Sequence, residues 1–194
     1  MDIATTPRLV LRHWHAPDRE PFAALNADPR VMEFMPGVLS REESDRFAER
    51  IEAHFATHGF GLCAVEVRQG PSFIGFIGFS VPAFEAHFTP CVEIGWRLSA
   101  EHWGQGLATE GARAMVQYAF ETLRLDALVT FTVPGNLRSR RVMEKLGMTR
   151  DPADDFDHPK LPEGHPLRRH VLYRLSRPAA VHASPQSNFG EPRR

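Results

Sequence analysis

One stretch of this 194-residue chain concentrates residue types that can do chemistry: Val92-Glu-Ile-Gly-Trp-Arg-Leu98, then Ser-Ala-Glu-His102, then Trp103-Gly-Gln-Gly-Leu-Ala-Thr-Glu110. Glycines at 104 and 106, followed by small residues at 108 and 109, let a backbone come close to a ligand. The first N–H groups of a helix have no internal partners, and with the helix dipole they favour a phosphate. A glycine-rich connection needed only for chain reversal explains the same residues equally well. Neither the Gly-x-x-x-x-Gly-Lys-Ser/Thr loop nor the Gly-x-Gly-x-x-Gly turn of other phosphate cradles is present. Upstream, an extended strand would place Val92, Ile94, Trp96 and Leu98 on one face and Glu93, Gly95 and Arg97 on the other. A carboxylate beside a glycine leaves room for a substrate, and partial burial would raise its pKa to a range useful for moving protons. The alternative for Glu93 is a salt bridge to Arg97 at a sheet edge.

These residues need elements to position them. Arg8 to Trp14 alternates as a first strand, and a short helix is expected from about Asp18 to Asn26. Asp28-Pro29 could open a further turn through Phe34. Ser40-Arg-Glu-Glu43 is a capping box opening an amphipathic helix with Phe47, Ile51 and Phe55, which ends near Gly59. Leu62–Arg68 and Ser72–Phe79 read as strands of a hairpin around Gln69-Gly70-Pro71, and Cys91–Leu98 as a fourth strand. Thr109–Leu123 is a helix, Ala127–Thr132 a strand, and Leu137–Leu146 a helix ended by Gly147. Met148–Arg150 is a short strand, and a long loop leads to a last strand near His170–Ser176. The alternation predicts a mixed α/β layer structure. Residues 1–176 form one domain in this reading, and the Pro-containing segment Arg177 to Arg194 a disordered tail.

Composition narrows the class. With 23 Lys+Arg against 24 Asp+Glu the net charge is −1, against the basic excess of a nucleic-acid binder. Cys63 and Cys91 are too few for a disulfide framework, so a reducing cytoplasm is the expected setting. The longest charge-free run, Gln69 to Phe84, falls short of the roughly 20 apolar residues that span a bilayer.

Trp103-x-x-Gly106-x-Ala108 resembles the Gln/Arg-x-x-Gly-x-Gly/Ala pyrophosphate loop of the GNAT superfamily of N-acetyltransferases. Thr6-Pro-Arg-Leu-Val-Leu-Arg12, Glu93-Ile-Gly-Trp and Asn136-x-x-Ser139…Val142-Met-Glu-Lys-Leu-Gly-Met148 are similar to its RimJ/RimL-type branch. These matches fall in order from about Thr6 to Ser176; the departure is Trp103, where the family carries Gln or Arg. The resemblance implies a mostly antiparallel twisted sheet, splayed between its fourth and fifth strands, with helices on both faces. It implies acetyl-CoA as co-substrate and no metal. The pantetheine arm would pair with the backbone of Trp96, Arg97 and Leu98. The pyrophosphate would lie on N–H groups of Trp103, Gly104, Gln105, Gly106, Leu107, Ala108 and Thr109. Asn136 would hydrogen-bond the cofactor; the residues alone read it as the N-cap of the helix after Pro134-Gly135, and the two roles can coexist.

Acetyl transfer to an amine needs a base, an oxyanion donor and a proton for the leaving thiolate. Glu93 is the candidate base, acting through a water by family resemblance. Where many relatives carry a Tyr this chain has Met143, so the candidate is Ser139, the nearest hydroxyl matching the Asn-x-x-Ser pattern, which resembles the serine proposed for RimL-like enzymes; its alternative is a polar place in the first helical turn. Asp151, Asp154, Asp155 and Asp157 would make an acidic rim attracting a protonated amine, or a solvated loop. The His/Pro-rich run from His158 to His170 fits no zinc spacing and is read as a rigid, substrate-shaping loop. An α-amine lies about 2.5 pKa units below a lysine, about 3.4 kcal/mol easier to deprotonate. The acceptor expected is therefore a protein N-terminus or a small-molecule amine, metabolite or antibiotic. Neither cysteine sits in a nucleophile motif, so the amine attacks directly. A non-catalytic acyl-CoA-binding module would keep the glycine loop without needing Glu93. Homodimers are common in the family, but no interface is legible.

Overall fold

A computed structural model describes residues 2–178. Eight strands form the backbone of the fold: β1 (Asp2–Thr5), β2 (Leu9–Arg12), β3 (Leu62–Val67), β4 (Gly75–Ser80), β5 (Glu93–Leu98), β6 (Ala127–Thr132), β7 (Phe156–Asp157) and β8 (Arg169–Ser176). Their spatial order is β1-β2-β3-β4-β5-β6-β8-β7. Every neighbouring pair is antiparallel except β5 and β6, which run parallel and share the single register pair Glu93↔Val129. The sheet therefore splays between these two strands. They are the fourth and fifth of the sequence reading, shifted by one because β1 was not foreseen. β1 is a four-residue edge strand whose register with β2 slips between Asp2 and Ala4.

Four helices cover the sheet: α1 (Arg19–Ala27), α2 (Arg41–His58), α3 (Leu107–Glu121) and α4 (Leu137–Lys145). Strand alternation decides which face each one takes. Leu62, Ala64 and Phe76 pack with Phe22 and Leu25 of α1 and Ala48 and Ile51 of α2. Their strand neighbours Cys63, Val65 and Ile77 pack with Ala112, Met115 and Ala119 of α3, and with Ile94 and Leu98 of β5. Glu93, Gly95 and Arg97 alternate with Ile94 and Leu98, so they look toward α1 and α2.

The capping box opens α2 as the sequence suggests: Ser40 Oγ accepts from the Glu43 N–H, and Glu43 Oε2 accepts from the Ser40 N–H at 2.8 Å. Pro29 to Phe34 makes turns, as the sequence suggests; Met148–Arg150, expected as a short strand, keeps one isolated bridge, Thr149↔Arg174. The core also buries an ion pair, Arg12 Nη1 with Asp18 Oδ2 at 2.7 Å; Arg12 reaches Glu66 and the Ser72 carbonyl as well. Most of the tail expected from Arg177 lies outside the described residues. No helix among the described residues is long and apolar enough to cross a membrane.

Candidate active site

Where β5 leaves β6, a cleft of about 390 Å³ opens between β5, the start of α3 and α4. Trp96, Arg97, Leu98, Trp103, Gly104, Gly106, Leu107, Ala108, Thr109, Asn136 and Ser139 all line it. Gln105 does not; its side chain turns back to the Glu101 carbonyl, and its own carbonyl accepts from Arg8. Glu93 lies up the strand from the cleft, at the point where the splay begins.

Hydrogen-bond alternation in an antiparallel pair fixes which backbone groups of β5 are free. Ser99 N–H donates to the Ile74 carbonyl, so Arg97, Gly95 and Glu93 also direct their backbone groups to β4. The intervening residues turn theirs the other way; the Val92 carbonyl accepts from Val129 N–H of β6. Beyond that point β6 has diverged, and Trp96 presents its N–H and carbonyl to the gap, while Leu98 presents its N–H, its carbonyl accepting from the Trp103 indole. The expectation of main-chain pairing at Trp96, Arg97 and Leu98 thus narrows to Trp96 and Leu98. Arg97 meets the cleft with its side chain only.

The strand runs through a 3-10 turn (Ala100–His102) into the glycine loop. Gly104 has φ +72° and Gly106 φ +78°, a left-handed backbone that a side chain resists. A Cβ at Gly104 would meet nothing within 4 Å, so this loop is open above its backbone. Gly106 is the N-cap of α3, and no side chain caps the helix there. Its first N–H groups are left for a ligand. The Trp103 indole does not fill this space: Nε1 donates to the Leu98 carbonyl at 2.8 Å, and the Arg138 guanidinium stacks 4.5 Å above the ring.

At α4, Asn136 is the N-cap, its Oδ1 accepting from Ser139 N–H at 3.2 Å and its Nδ2 donating to Thr132 Oγ1 at 3.1 Å. Both ends of the amide are engaged within the chain. Met143 is fully buried in the core, behind Ser139 and Val142.

Glu93 Oε2 accepts from Ser80 Oγ at 3.0 Å and forms no ion pair with Arg97. Burial pushes its carboxyl up to about 7, against the opposing pull of the Ser80 hydrogen bond. A carboxyl poised there exchanges protons readily at neutral pH.

The acidic rim does not exist as a free field. Asp154 pairs with Arg174 at 2.6 Å, Asp155 with Arg150, Asp157 with Arg168 and Arg169, and Asp151 caps a short 3-10 turn. Arg168, Arg169 and Arg174 of β8 and its approach, together with Arg150 just before the cluster, neutralise three of the four aspartates. The two ends of the His/Pro-rich loop pack as rings: His158 and His170, 5.1 Å apart, join Phe84, Phe131 and Phe156. No three His, Cys, Asp or Glu side chains converge as a metal site among the described residues.

Sequence reasoning missed the basic wall of the cleft, made by Arg30, Arg138, Arg141 and Lys145, of which Arg30 pairs with Asp28 and Glu101 and Arg138 with Glu33. A net charge near zero conceals such a local field; the spacing Arg138, Arg141, Lys145 on one helix face was the available signal.

Comparison with known proteins agrees with this geometry. Residues 8–149 match the family model described as an acetyltransferase (GNAT) domain. The chain is 30% identical to the uncharacterised N-acetyltransferase YnaD of Bacillus subtilis, over 76% of this chain and 82% of that protein. It is 35% identical to an Aspergillus fumigatus protein named FsC-acetyl coenzyme A-N(2)-transacetylase, over 74% of this chain and 63% of that one. A GNAT-family acetyltransferase structure from Bacillus anthracis superposes with a TM-score of 0.73 at 25% identity, covering 90% of this chain and 98% of that one.

Proposed function

The chain belongs to the GNAT acetyltransferase family and is an N-acetyltransferase, and on that premise we propose that it moves the acetyl group of acetyl-CoA to a primary amine by direct attack in a ternary complex. The observation that carries this reading is the open edge of β5 at the Trp96 main chain and the Leu98 N–H, which leads through one 3-10 turn into an uncapped helix start. A strand edge takes up an amide-bearing chain, and a helix N-terminus takes up a diphosphate. Bound acetyl-CoA supplies an activated acyl carbon and a thiolate leaving group.

The protein's own residues do the rest. Main-chain N–H groups of Gly104 and of Gly106 to Thr109 hold the diphosphate, the Trp103 N–H being taken by the Ala100 carbonyl, and Arg141 and Lys145 of α4 add charge complementarity. Asn136 fixes the start of α4 and offers its remaining lone pair to the cleft. Glu93, held by Ser80, accepts the amine's proton through a water, while the nitrogen forms its bond to the acyl carbon and the carbon–sulfur bond breaks. Ser139 lines the cleft and relays a proton or a hydrogen bond to the sulfur. The motifs at Thr6–Arg12 and Asn136–Met148 support a place in the RimJ/RimL-type branch, with the cytoplasm as setting.

Glu93→Gln tests the reading. We expect thiol release to fall about 100-fold or more, with acetyl-CoA affinity by calorimetry unchanged. Unchanged turnover removes Glu93 as the base. A melting temperature unmoved by acetyl-CoA contradicts the cofactor.

A further inference from the structure

Two arginines near the sheet are held differently: Arg12 is buried, and Arg97 is half-buried. Arg12 is held by two carboxylates, Asp18 and Glu66, and by two main-chain carbonyls. Arg97 has no carboxylate within ion-pair distance among the described residues. Its Nη1 donates to Asn26 Oδ1 at 2.6 Å, its Nη2 reaches only the Met35 sulfur at 3.5 Å, and its guanidinium lies over the rings of Phe47 and Phe76. Asn26 is neutral, fully buried and tied to Ser44 of α2. Burial draws the Arg97 pKa down to about 10, so it stays charged at neutral pH without an anion. A half-buried guanidinium with no carboxylate beside it is free to pair with an anion that enters the cleft.

Position points to what supplies it. Arg97 lines the same cleft as the glycine loop, and its side chain projects from the face that carries Glu93. Between the two stands Gly95, where a Cβ would meet nothing within 4 Å. The face thus presents a proton acceptor, an open floor and an unneutralised cation, with about 13 Å between the outer Cα atoms.

We infer that Arg97 binds a carboxylate carried by the acceptor, so that the amine this protein acetylates belongs to an amino acid or short peptide with a free acid. This rests on the transferase reading above. Guanidinium and carboxylate pair in bidentate fashion, and the Phe rings hold the guanidinium plane in place. The amine then lies toward Glu93, and the acid sets both orientation and selectivity.

The test compares amino acids and dipeptides as free acids with their C-terminal amides, measuring thiol release at saturating acetyl-CoA. We expect the acids to be the better acceptors by about tenfold or more in kcat/KM. Arg97→Met should raise KM for the acid far more than for the amide, so that the acid-to-amide ratio of kcat/KM falls to about one. Asn26→Asp covers the case of a variant that fails to fold: it gives Arg97 an internal carboxylate, so the melting temperature should rise while the preference for acids falls. Equal use of acids and amides by the native protein overturns the inference. So does an Arg97→Met variant whose only defect is acetyl-CoA binding, which would assign the cation to a cofactor phosphate. Should no compound be turned over, melting curves with the same panel at saturating CoA still decide. A rise with acids alone, lost in Arg97→Met, supports the site even though the transferase reading fails, and no difference between acid and amide overturns it.

Discussion

A carboxyl held near neutrality couples activity to stability at Glu93. Its folded pKa of about 7 lies above the ordinary 4.5, so its contribution to stability is complete below about 4.5 and is lost as pH rises through 7. The proton acceptor, in contrast, is present only above that range. We expect kcat/KM to rise through pH 7 with a limb that Glu93→Gln lacks. The melting temperature of Glu93→Gln relative to the native protein should climb between pH 5 and pH 8; a constant difference would show that the carboxyl titrates normally. Strand alternation in the sequence was enough to single out Glu93, because a period of two states which side chains share a face. The fate of the aspartates was not legible, since Arg174, which neutralises Asp154, comes 20 residues later through a register only the folded sheet defines.

Elements carry the next constraint, at the junction of β2 and α3. Arg8 donates to Glu110 through Nε at 2.6 Å and to the Gln105 carbonyl through Nη1 at 3.0 Å, while Thr6 Oγ1 donates to the same carboxylate. The start of the chain thereby braces the glycine loop against the first turns of α3. Arg8→Ala should raise KM for acetyl-CoA about three- to tenfold, with little change in kcat and a small loss of melting temperature, since Arg8 is half exposed. Gly106→Ala acts on the loop itself: a left-handed residue with a Cβ costs about 1–2 kcal/mol. Acetyl-CoA affinity measured by calorimetry should fall accordingly. Most elements were legible from local rules, α2 above all, because its capping box closes within four residues. β1 was not, since an edge strand needs only one partner and four residues give little period to read. The motif at Thr6–Arg8 was visible as a resemblance, but its mechanical use depends on Glu110, about a hundred residues away.

For the whole molecule, balanced net charge reflects local pairing: Arg30 and Arg138 at the cleft meet Asp28, Glu101 and Glu33, and acids and arginines pair around the last strands. Arg141 and Lys145 face the cleft with no ion pair among the described residues. The buried Arg12–Asp18 pair ties β2 to the approach of α1, and Asp18→Asn should destabilise the fold by about 3–5 kcal/mol. Chemical denaturation checks this; a loss below about 1 kcal/mol would mean that Glu66 and the Ser72 carbonyl hold the guanidinium unaided. The parallel contact of β5 with β6 has a wider consequence. Strands β1 to β5 and strands β6 to β8 are knitted to each other at Glu93↔Val129 and are otherwise joined by packing and loops. Whatever enters the gap acts as the missing strand and stitches the halves together. Cellular supply of the acyl donor would then govern not only how fast this protein works but how long it survives proteases.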